Sequence, residues 1–476
     1  MFKKQKKQNT DLGSAPVGRL LFSLAVPCIL AQVVNVLYNV VDRMYIGHIP
    51  VVGSDALTGV GVTMPLITAV SAFAYLVCMG AAPRAAVYLG QDDRKTAQKV
   101  MNSSLALLVV LAIALTIIVE FVGKDLLMAF GASEQTIPYA WSYMQIYAAG
   151  TLFVQVALGM NAFINTQGFA SWGMATVLIG AVLNIVLDPI LIFVLNLGVR
   201  GAAIATIVSQ CCSALFVLWF LASKRSGLRL SVREMRLDWK LLLPCLALGL
   251  SPFVMMITES FITLSFNSSL QNYAGDLAVG SMTILASVMQ FAMLPLQGLT
   301  QGSQPIISYN FGAANLERIK KTFKLLLIVS LSYSTLLWAS AEIAPGMFAS
   351  FFSPDPALID YTRWSLRIYM ATSFLFGMQI ACQQTFIALG NAKSSVFLAV
   401  FRKIILLMPL IYILPFFFEN KAFAVYLAEP VADAIACITT GLMFFSYVKN
   451  KLPGLIEENR RQLELNRKEH AAADAA

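Results

Sequence analysis

The sequence predicts an all-α polytopic membrane protein with twelve transmembrane helices in two six-helix lobes. The chain has 476 residues, of which 58% are hydrophobic and 12% are charged, whereas a soluble globular protein carries about 25% charged residues. The hydrophobic residues form continuous blocks long enough for a helix to cross a bilayer, which takes about 20 residues. A β-barrel is excluded, because its strands would alternate apolar and polar residues.

Twelve apolar blocks follow one another, separated by short polar connections. The seven Cys lie inside these blocks, so they form neither a disulfide framework nor a metal set and are expected to be small core residues. The predicted spans are 19–46, 56–83, 99–122, 137–158, 169–195, 200–222, 240–267, 277–302, 319–342, 362–388, 395–417 and 423–448.

The basic residues predict the orientation of these spans. Of the 34 Lys and Arg residues, only six lie on the side opposite the N-terminus, and Arg402 and Lys403 lie inside a span. Cytoplasmic loops carry the excess of positive charge, so both termini are expected in the cytoplasm. The net charge of +9 is therefore interpreted as a topology signal rather than a nucleic-acid interface.

The same pattern divides the chain into five parts. The basic N-terminus is expected to be retained, because the apolar stretch after it is too long for a signal peptide. The tail is expected to be a short helix or disordered. The parts are 1–18 (cytoplasmic N-terminus), 19–222 (first lobe), 223–239 (cytoplasmic linker), 240–449 (second lobe) and 450–476 (cytoplasmic tail).

The two predicted lobes contain an internal repeat with an offset of 222 residues. Gly80, Pro83 and Gly90 match Gly302, Pro305 and Gly312. Since each half has six spans, both halves start on the same side, and a pseudo-twofold axis along the membrane normal relates them. Such repeats enclose a cleft at their interface, where transporter substrates bind.

Two polar groups interrupt the apolar blocks of the first half. Gln32, Asn35, Asn39 and Asp42 follow one helix face in span one, and Asn184 and Asp188 are one turn apart in span five, directly before Pro189. A carboxylate inside a membrane costs at least ~2.5–3.5 kcal/mol at the helix centre, so it usually marks an ion or proton path.

Asp42, Asp188 and Thr206 are predicted at one depth, roughly 8–11 Å from the outer boundary. With Asn184 they could hold Na⁺ through oxygen ligands, or the carboxylates could share a proton, because two charged groups side by side in a membrane are costly. Asn39 on the same stripe is assigned to this coupling site. The structural alternative is that Asp42 pairs with Arg43 and Asp188 caps a kink.

The second half carries its own acids. Glu259 lies in span seven among Met and aromatic residues, which suits a lipophilic cation, although a hydrogen bond to Thr258 or Ser260 is the alternative. Arg402 and Lys403 could pair with these acids or extend to the cytoplasmic interface. The other second-lobe acids are Glu429 and Asp433, and the candidate cleft residues are Asn35, Tyr38, Met160, Met282, Met289 and Met293.

No nucleotide-binding loop, Ser/His/Asp set or His-rich cluster occurs in the sequence, which argues against an enzyme and against ATP as the energy source. No cofactor is expected. A lipid-linked saccharide or peptidoglycan-precursor flippase remains an alternative, although such a protein would be expected to have a basic cleft. An integral-membrane enzyme and a passive channel are further alternatives.

Several motifs resemble the multidrug and toxic compound extrusion (MATE) transporters, close to their MepA-like bacterial branch. The resemblance covers nearly residues 15–450. The motifs are Tyr38 to Gly47, Asn184 to Pro189, Gly201 to Thr206 and Gln301 to Ala313.

The resemblance implies a monomeric antiporter of a bacterial inner membrane that exchanges cationic amphiphilic drugs or dyes for H⁺ or Na⁺. It also implies that Asp42, Asn184, Asp188 and Thr206 form the first-lobe cation or proton site. Glu259 matches an acid that one branch uses, but the Asp of that branch in span ten is missing here, where the sequence reads Phe376 to Gln379. Pro27 is the expected hinge of span one.

Overall fold

The computed structural model describes residues 12–475, and its regular structure within that range is helical. The basic cluster at Lys3–Lys7 lies outside the described residues. Ten of the described helices are long and apolar enough to cross a membrane, or eleven if one bent pair counts as a single span. The membrane-protein fold is thus confirmed, while the count of twelve spans remains a prediction.

The described part of the first half forms seven α-helices, of which the fourth and fifth are the bent pair, meeting at 59°. A π-helix, Ile190–Val194, continues the sixth helix directly after Pro189. The helices are α1 (Val17–Gly47), α2 (Gly53–Gly90), α3 (Arg94–Ala129), α4 (Ile137–Ala149), α5 (Thr151–Thr166), α6 (Ala170–Pro189) and α7 (Val199–Ala222).

The second half is less regular than the sequence predicts. The expected tenth span is divided into α12 and α13 by a 3₁₀ turn at Ser373–Leu375. The eleventh contains a π-helix at Phe401–Leu407 and ends in a 3₁₀ turn at Leu414–Phe416. The helices are α8 (Trp239–Ala274), α9 (Asp276–Gly312), α10 (Leu316–Ile343), α11 (Pro345–Ser350), α12 (Pro356–Tyr369), α13 (Phe376–Ala388), α14 (Ala392–Val400), α15 (Met408–Ile413), α16 (Lys421–Asn450) and α17 (Leu452–Ala475).

Each half packs an apolar core of its own. One core takes its buried residues from the range 46–203 and another from 262–432. Two further cores join the halves, since one adds Leu242 and Cys245 to first-half residues, and another adds Leu21 and Leu24 to second-half residues.

The halves meet closely at the end of the molecule where the chain starts. A Cβ atom on Gly90 would overlap the carbonyl oxygen of Tyr309, and a Cβ on Gly312 would overlap that of Val87. Gly312 is 222 residues after Gly90, and Tyr309 is 222 residues after Val87, so these are the reciprocal contacts that a twofold axis would produce.

Two more close approaches lie at the same end. Gly80 of α2 abuts the backbone of α8 at Cys245, and Gly302 of α9 abuts the backbone of α1 at Ala25. We call these contacts, together with those of Gly90 and Gly312, the seam. Only the lack of a side chain permits such approaches, so glycine is required at these positions.

The last helix, α17, packs across the seam. Asn459 donates from Nδ2 to the Phe311 carbonyl oxygen (2.9 Å) and accepts from Gln91 Nε2 (2.8 Å), so it bridges the ends of α9 and α2. The expected tail is therefore a helix of 24 residues rather than a short or disordered segment.

Candidate functional site

The polar stripe of α1 lies on the side of the helix that faces the interior cavity. Gln32, Asn35 and Tyr38 line this cavity, and Asp42 is buried one turn further along, with 6% of its surface exposed. Asn39 differs from the other members, because it is exposed and donates from Nδ2 to the Asn35 carbonyl oxygen (2.6 Å). The structure thus places Asn39 on the backbone of its own helix, apart from the predicted coupling site.

The two first-lobe carboxylates meet between α1 and α6. Asp42 and Asp188 lie side by side, close enough to share one proton. Asn184 Nδ2 donates to Asp188 Oδ1 (3.3 Å) and to Thr206 Oγ1 (3.4 Å). Four of the five residues predicted for the coupling site, all but Asn39, are therefore brought together by three helices.

The oxygen atoms of this group fit a cation. Asp42 Oδ1, Asn184 Oδ1 and Asp188 Oδ2 are buried and have no hydrogen-bond partner in the described structure. Unpaired buried acceptors are costly, and a Na⁺ ion or a proton would satisfy them. Carboxylate and amide oxygens are also the ligands that hard cations prefer.

The structure does not show the alternative in which Asp42 pairs with Arg43. Arg43 is exposed, and its Nη2 donates to Met64 Sδ (3.1 Å). Asp42 instead turns inward to Asp188.

Tyr143 completes the surroundings of the carboxylates and was not predicted from the sequence. Its hydroxyl lies beside Thr206, and its ring stacks on Tyr147 with centroids 6.4 Å apart. An aromatic residue in an apolar helix gives no signal of such a role, because most of them are simply core residues.

A polar, uncharged cavity adjoins the carboxylates. Asn184 and Thr206 line this cavity. Asn184 also donates to Asp188, and Thr206 accepts from Asn184, so both residues belong to the cavity and to the carboxylate group. Gln301 and Gln304 of α9 reach it from the second half. The described lining residues include neither Lys nor Arg, and further members are Met79, Asn161, Asn165, Met174 and Gln210.

Asn161 and Asn165 are functional candidates that the sequence reasoning missed. They lie one turn apart in α5, and both Oδ1 atoms are buried without a hydrogen-bond partner in the described structure. The i,i+4 spacing of two amides in an apolar helix is the signal that could have identified them, since the same rule identified the stripe of α1.

The four predicted cleft methionines do not line this cavity. Met160 (0% exposed) is packed into a core that joins the halves, and Met282 (4%) is packed into the core of the second half. Met289 packs against the same core as Met282, and Met293 is half-buried. Helical spacing alone could not separate core from cavity here, and Met79 and Met174 are the methionines that line it.

The second-lobe charges form ion pairs. Arg402 Nε lies 2.6 Å from Asp433 Oδ1, and Arg402 Nη2 lies 3.5 Å from Glu429 Oε1. Lys403 Nζ lies 3.1 Å from Glu259 Oε2. Of the two possibilities that the sequence left open for Arg402 and Lys403, pairing with the acids is therefore the one found.

Comparison with known proteins identifies the family. The family model MatE matches the chain twice, over residues 27–190 and 252–413. The multidrug export protein MepA of Staphylococcus haemolyticus is 24% identical over 437 residues, covering 91% of this chain and 94% of that protein. MepA of Staphylococcus aureus is 24% identical over 401 residues, covering 84% of this chain and 88% of that protein.

Solved structures share the fold. A MATE crystal structure in the bent conformation superposes with a TM-score of 0.87 at 21% identity, covering 95% of this chain and 99% of that one. An outward-facing multidrug resistance MATE transporter of the MOP superfamily gives a TM-score of 0.85 at 22% identity, covering 93% and 98%. Since the family model covers more than half of the chain, the resemblance is confirmed: this chain belongs to the MatE family and is a multi-span membrane transporter rather than an enzyme.

Proposed function

We propose that this chain exports cationic amphiphilic drugs and dyes across a bacterial cell membrane in exchange for H⁺ or Na⁺. The observation that carries the proposal is the group of three buried, unpartnered oxygens on Asp42, Asn184 and Asp188 beside a polar cavity. The similarity to proteins named multidrug export protein supports the drug class.

Coupling follows from the residues that the two sites share. Asn184 and Thr206 contact each other and line the cavity, while Asn184 also donates to Asp188. When a cation or proton binds the carboxylates, the hydrogen bonds that Asn184 and Thr206 can form change. The cavity that holds the drug changes with them, because both residues line it. Binding of the two solutes at overlapping groups makes each disfavour the other, as antiport requires.

The seam sets the direction of release. It closes the space between the halves at the end where the chain starts, which we place in the cytoplasm on the distribution of Lys and Arg. The cavity in this state is then reached from outside, and we propose that α1 moves about Pro27, which lies inside the helix, as the carboxylates are loaded.

The charge of the site argues for cationic cargo over an anionic lipid-linked saccharide. The described lining of the cavity contains neither Lys nor Arg, and the carboxylates adjoining it attract cations. A flippase for an anionic lipid carrier would need cationic groups where this chain places amides.

Asp188→Asn tests the coupling, because it removes the ionisable group and keeps the size of the side chain. We expect ethidium efflux, measured as uptake into everted vesicles, to fall by about tenfold or more, since loss of a charged hydrogen-bonding partner costs roughly 1.5–3 kcal/mol. Asp360→Asn is the matched control, because Asp360 is 70% exposed and pairs only with the surface residue Arg363. Efflux at the wild-type rate in Asp188→Asn would rule out the coupling role.

A second measurement identifies the coupling ion. The purified protein is reconstituted into liposomes, and ethidium transport is measured under a Na⁺ gradient at equal pH. The measurement is then repeated under a pH gradient without Na⁺. The coupling ion is the one whose gradient drives transport in the wild type. In Asp188→Asn we expect neither gradient to drive transport. Transport under both gradients in the variant would contradict the proposal.

A further inference from the structure

The second half contains a five-residue charge cluster whose two cations are held differently. Arg402 is 13% exposed and contacts two acids, Glu429 and Asp433, which are 5% and 1% exposed. Lys403 is 8% exposed and has one ion-pair partner, Glu259, which is 61% exposed. Arg402 is thus fixed on both sides, whereas the partner of Lys403 is open to a competitor.

A local distortion of the helix gives both cations their positions. Arg402 and Lys403 lie in the π-helix Phe401–Leu407, whose wider turn reduces the angle between consecutive side chains. As a result, two neighbouring residues both face the interior, with Arg402 toward α16 and Lys403 toward α8. π-helical turns of this kind occur frequently at functional sites.

Glu259 lies in α8 beyond the contacts of this helix with the first half. Cys245 and Gly249 contact α2 at the seam, and Phe253, four residues on, packs edge-to-face against Phe73 with centroids 5.1 Å apart. Glu259 follows six residues after Phe253 and one turn after Met255, whose Sδ accepts from Gln383 Nε2 (3.4 Å). Its side chain is 61% exposed, so the described helices leave its carboxylate largely uncovered.

The cluster also has room for one more positive charge. Three carboxyl groups face two cations, and Glu429 Oε2 and Asp433 Oδ2 are buried with no hydrogen-bond partner in the described structure. Lys403 interacts with Glu429 as well as with Glu259, so its flexible stem can move its ammonium group between the two acids. When it does, the carboxylate of Glu259 is free.

We propose that Lys403 is a tethered counter-ion of Glu259 that a cationic cargo displaces. This rests on the proposed export of cationic compounds and adds a specificity-determining residue to it. The second half then selects its cargo by competition, because a cation enters only if it binds Glu259 better than Lys403 does. Neutral compounds gain nothing from the exchange.

Two substitutions of Lys403 have opposite expected effects. Lys403→Gln removes the competitor, so the affinity of the purified protein for tetraphenylphosphonium, a lipophilic monocation, rises by about tenfold. Lys403→Arg holds Glu259 more firmly through a bidentate guanidinium group, so the affinity falls. Equilibrium dialysis with labelled tetraphenylphosphonium measures both, after size-exclusion chromatography has shown that each variant is folded.

The gain must depend on Glu259. In Glu259→Gln the affinity is low, and adding Lys403→Gln to it brings no recovery, whereas a gain in the double variant would overturn the proposal. Unchanged affinity in both single variants of Lys403 would also overturn it. Because Lys403→Arg keeps the buried charge, it tests the idea even if Lys403→Gln does not fold.

The outcomes distinguish this proposal from the proposed function. If the wild type binds tetraphenylphosphonium and the Lys403 variants bind it equally well, the export function stands and the tethered counter-ion is wrong. If neither the wild type nor Lys403→Gln binds this probe, both are wrong.

Discussion

At the scale of single residues, the two halves handle buried carboxylates in opposite ways. Asp42 and Asp188 contact each other and leave oxygens without partners. In the second half, Arg402 pairs with both Glu429 and Asp433. An uncompensated pair can take up a cation during transport, whereas a compensated cluster is costly to break.

This contrast predicts that Arg402→Met destabilises the protein. The substitution leaves Glu429 and Asp433 almost fully buried without their cation, and breaking a buried pair in this way costs about 3–5 kcal/mol. The loss is measured as a lower thermal unfolding midpoint of the purified protein. Arg363→Gln is the control, because the exposed pair of Arg363 with Asp360 contributes less than about 1 kcal/mol. Equal midpoints for the two variants would contradict the prediction.

At the scale of helices, the sequence predicted where apolar segments lie better than it predicted their interruptions. A continuous apolar run of sufficient length predicts a transmembrane span, and the i,i+4 spacing of Asn184 and Asp188 predicts that they share a helix face. The break at Gly150 between α4 and α5 was missed, because a single glycine in an apolar run is tolerated in many transmembrane helices.

The π-helix at Phe401–Leu407 gave no sequence signal at all. Its residues are ordinary for a span except for Arg402 and Lys403, and neighbouring residues of a regular helix point about 100° apart. The sequence could therefore suggest that these cations pair with acids, but it could not show that both face inward. Which acid each one meets depends on the packing of α8 and α16, which no local pattern encodes.

Helix packing at the seam gives a second prediction. In Gly80→Val the new side chain would overlap the α8 backbone at Cys245, so α2 and α8 must separate. Cys245 is 1% exposed and lies at this contact, so we expect its labelling by a maleimide in everted vesicles to rise severalfold. Mass spectrometry of the labelled peptides distinguishes Cys245 from the other cysteines.

Gly61 provides the control in the same helix, because a Cβ atom there would meet nothing within 4 Å. Gly61→Val should leave the labelling of Cys245 at the wild-type level. If Gly80→Val behaves in the same way, the two helices do not need the close approach to stay closed.

At the scale of the whole molecule, the tail helix adds a cross-connection to the closed state. Besides the bridge through Asn459, Asn466 Nδ2 donates to the Gln91 carbonyl oxygen (2.8 Å), and Leu452 and Ile456 are buried against a core shared by both halves. The buried positions of α17 follow a repeat of four and three residues: Leu452, Ile456, Asn459, Leu463 and Asn466. This amphipathic spacing is present in the sequence, but charge and alanine content suggested a short helix or a disordered tail instead.

The bridge predicts that α17 favours closure of the halves at the end that we propose to be cytoplasmic. Asn459→Leu removes both bonds of the Asn459 amide, to Phe311 and to Gln91, while keeping a side chain of similar size. Each lost hydrogen bond costs about 0.5–1.5 kcal/mol, so the balance should shift by roughly tenfold toward the state that is open to the cytoplasm.

Maleimide labelling of Cys245 in everted vesicles should rise accordingly, and it should rise further in a chain ending at Lys451. Glu464→Gln, on the exposed face of the same helix, should change nothing. Labelling that stays at the wild-type level in the truncated chain would show that the seam closes without the tail helix.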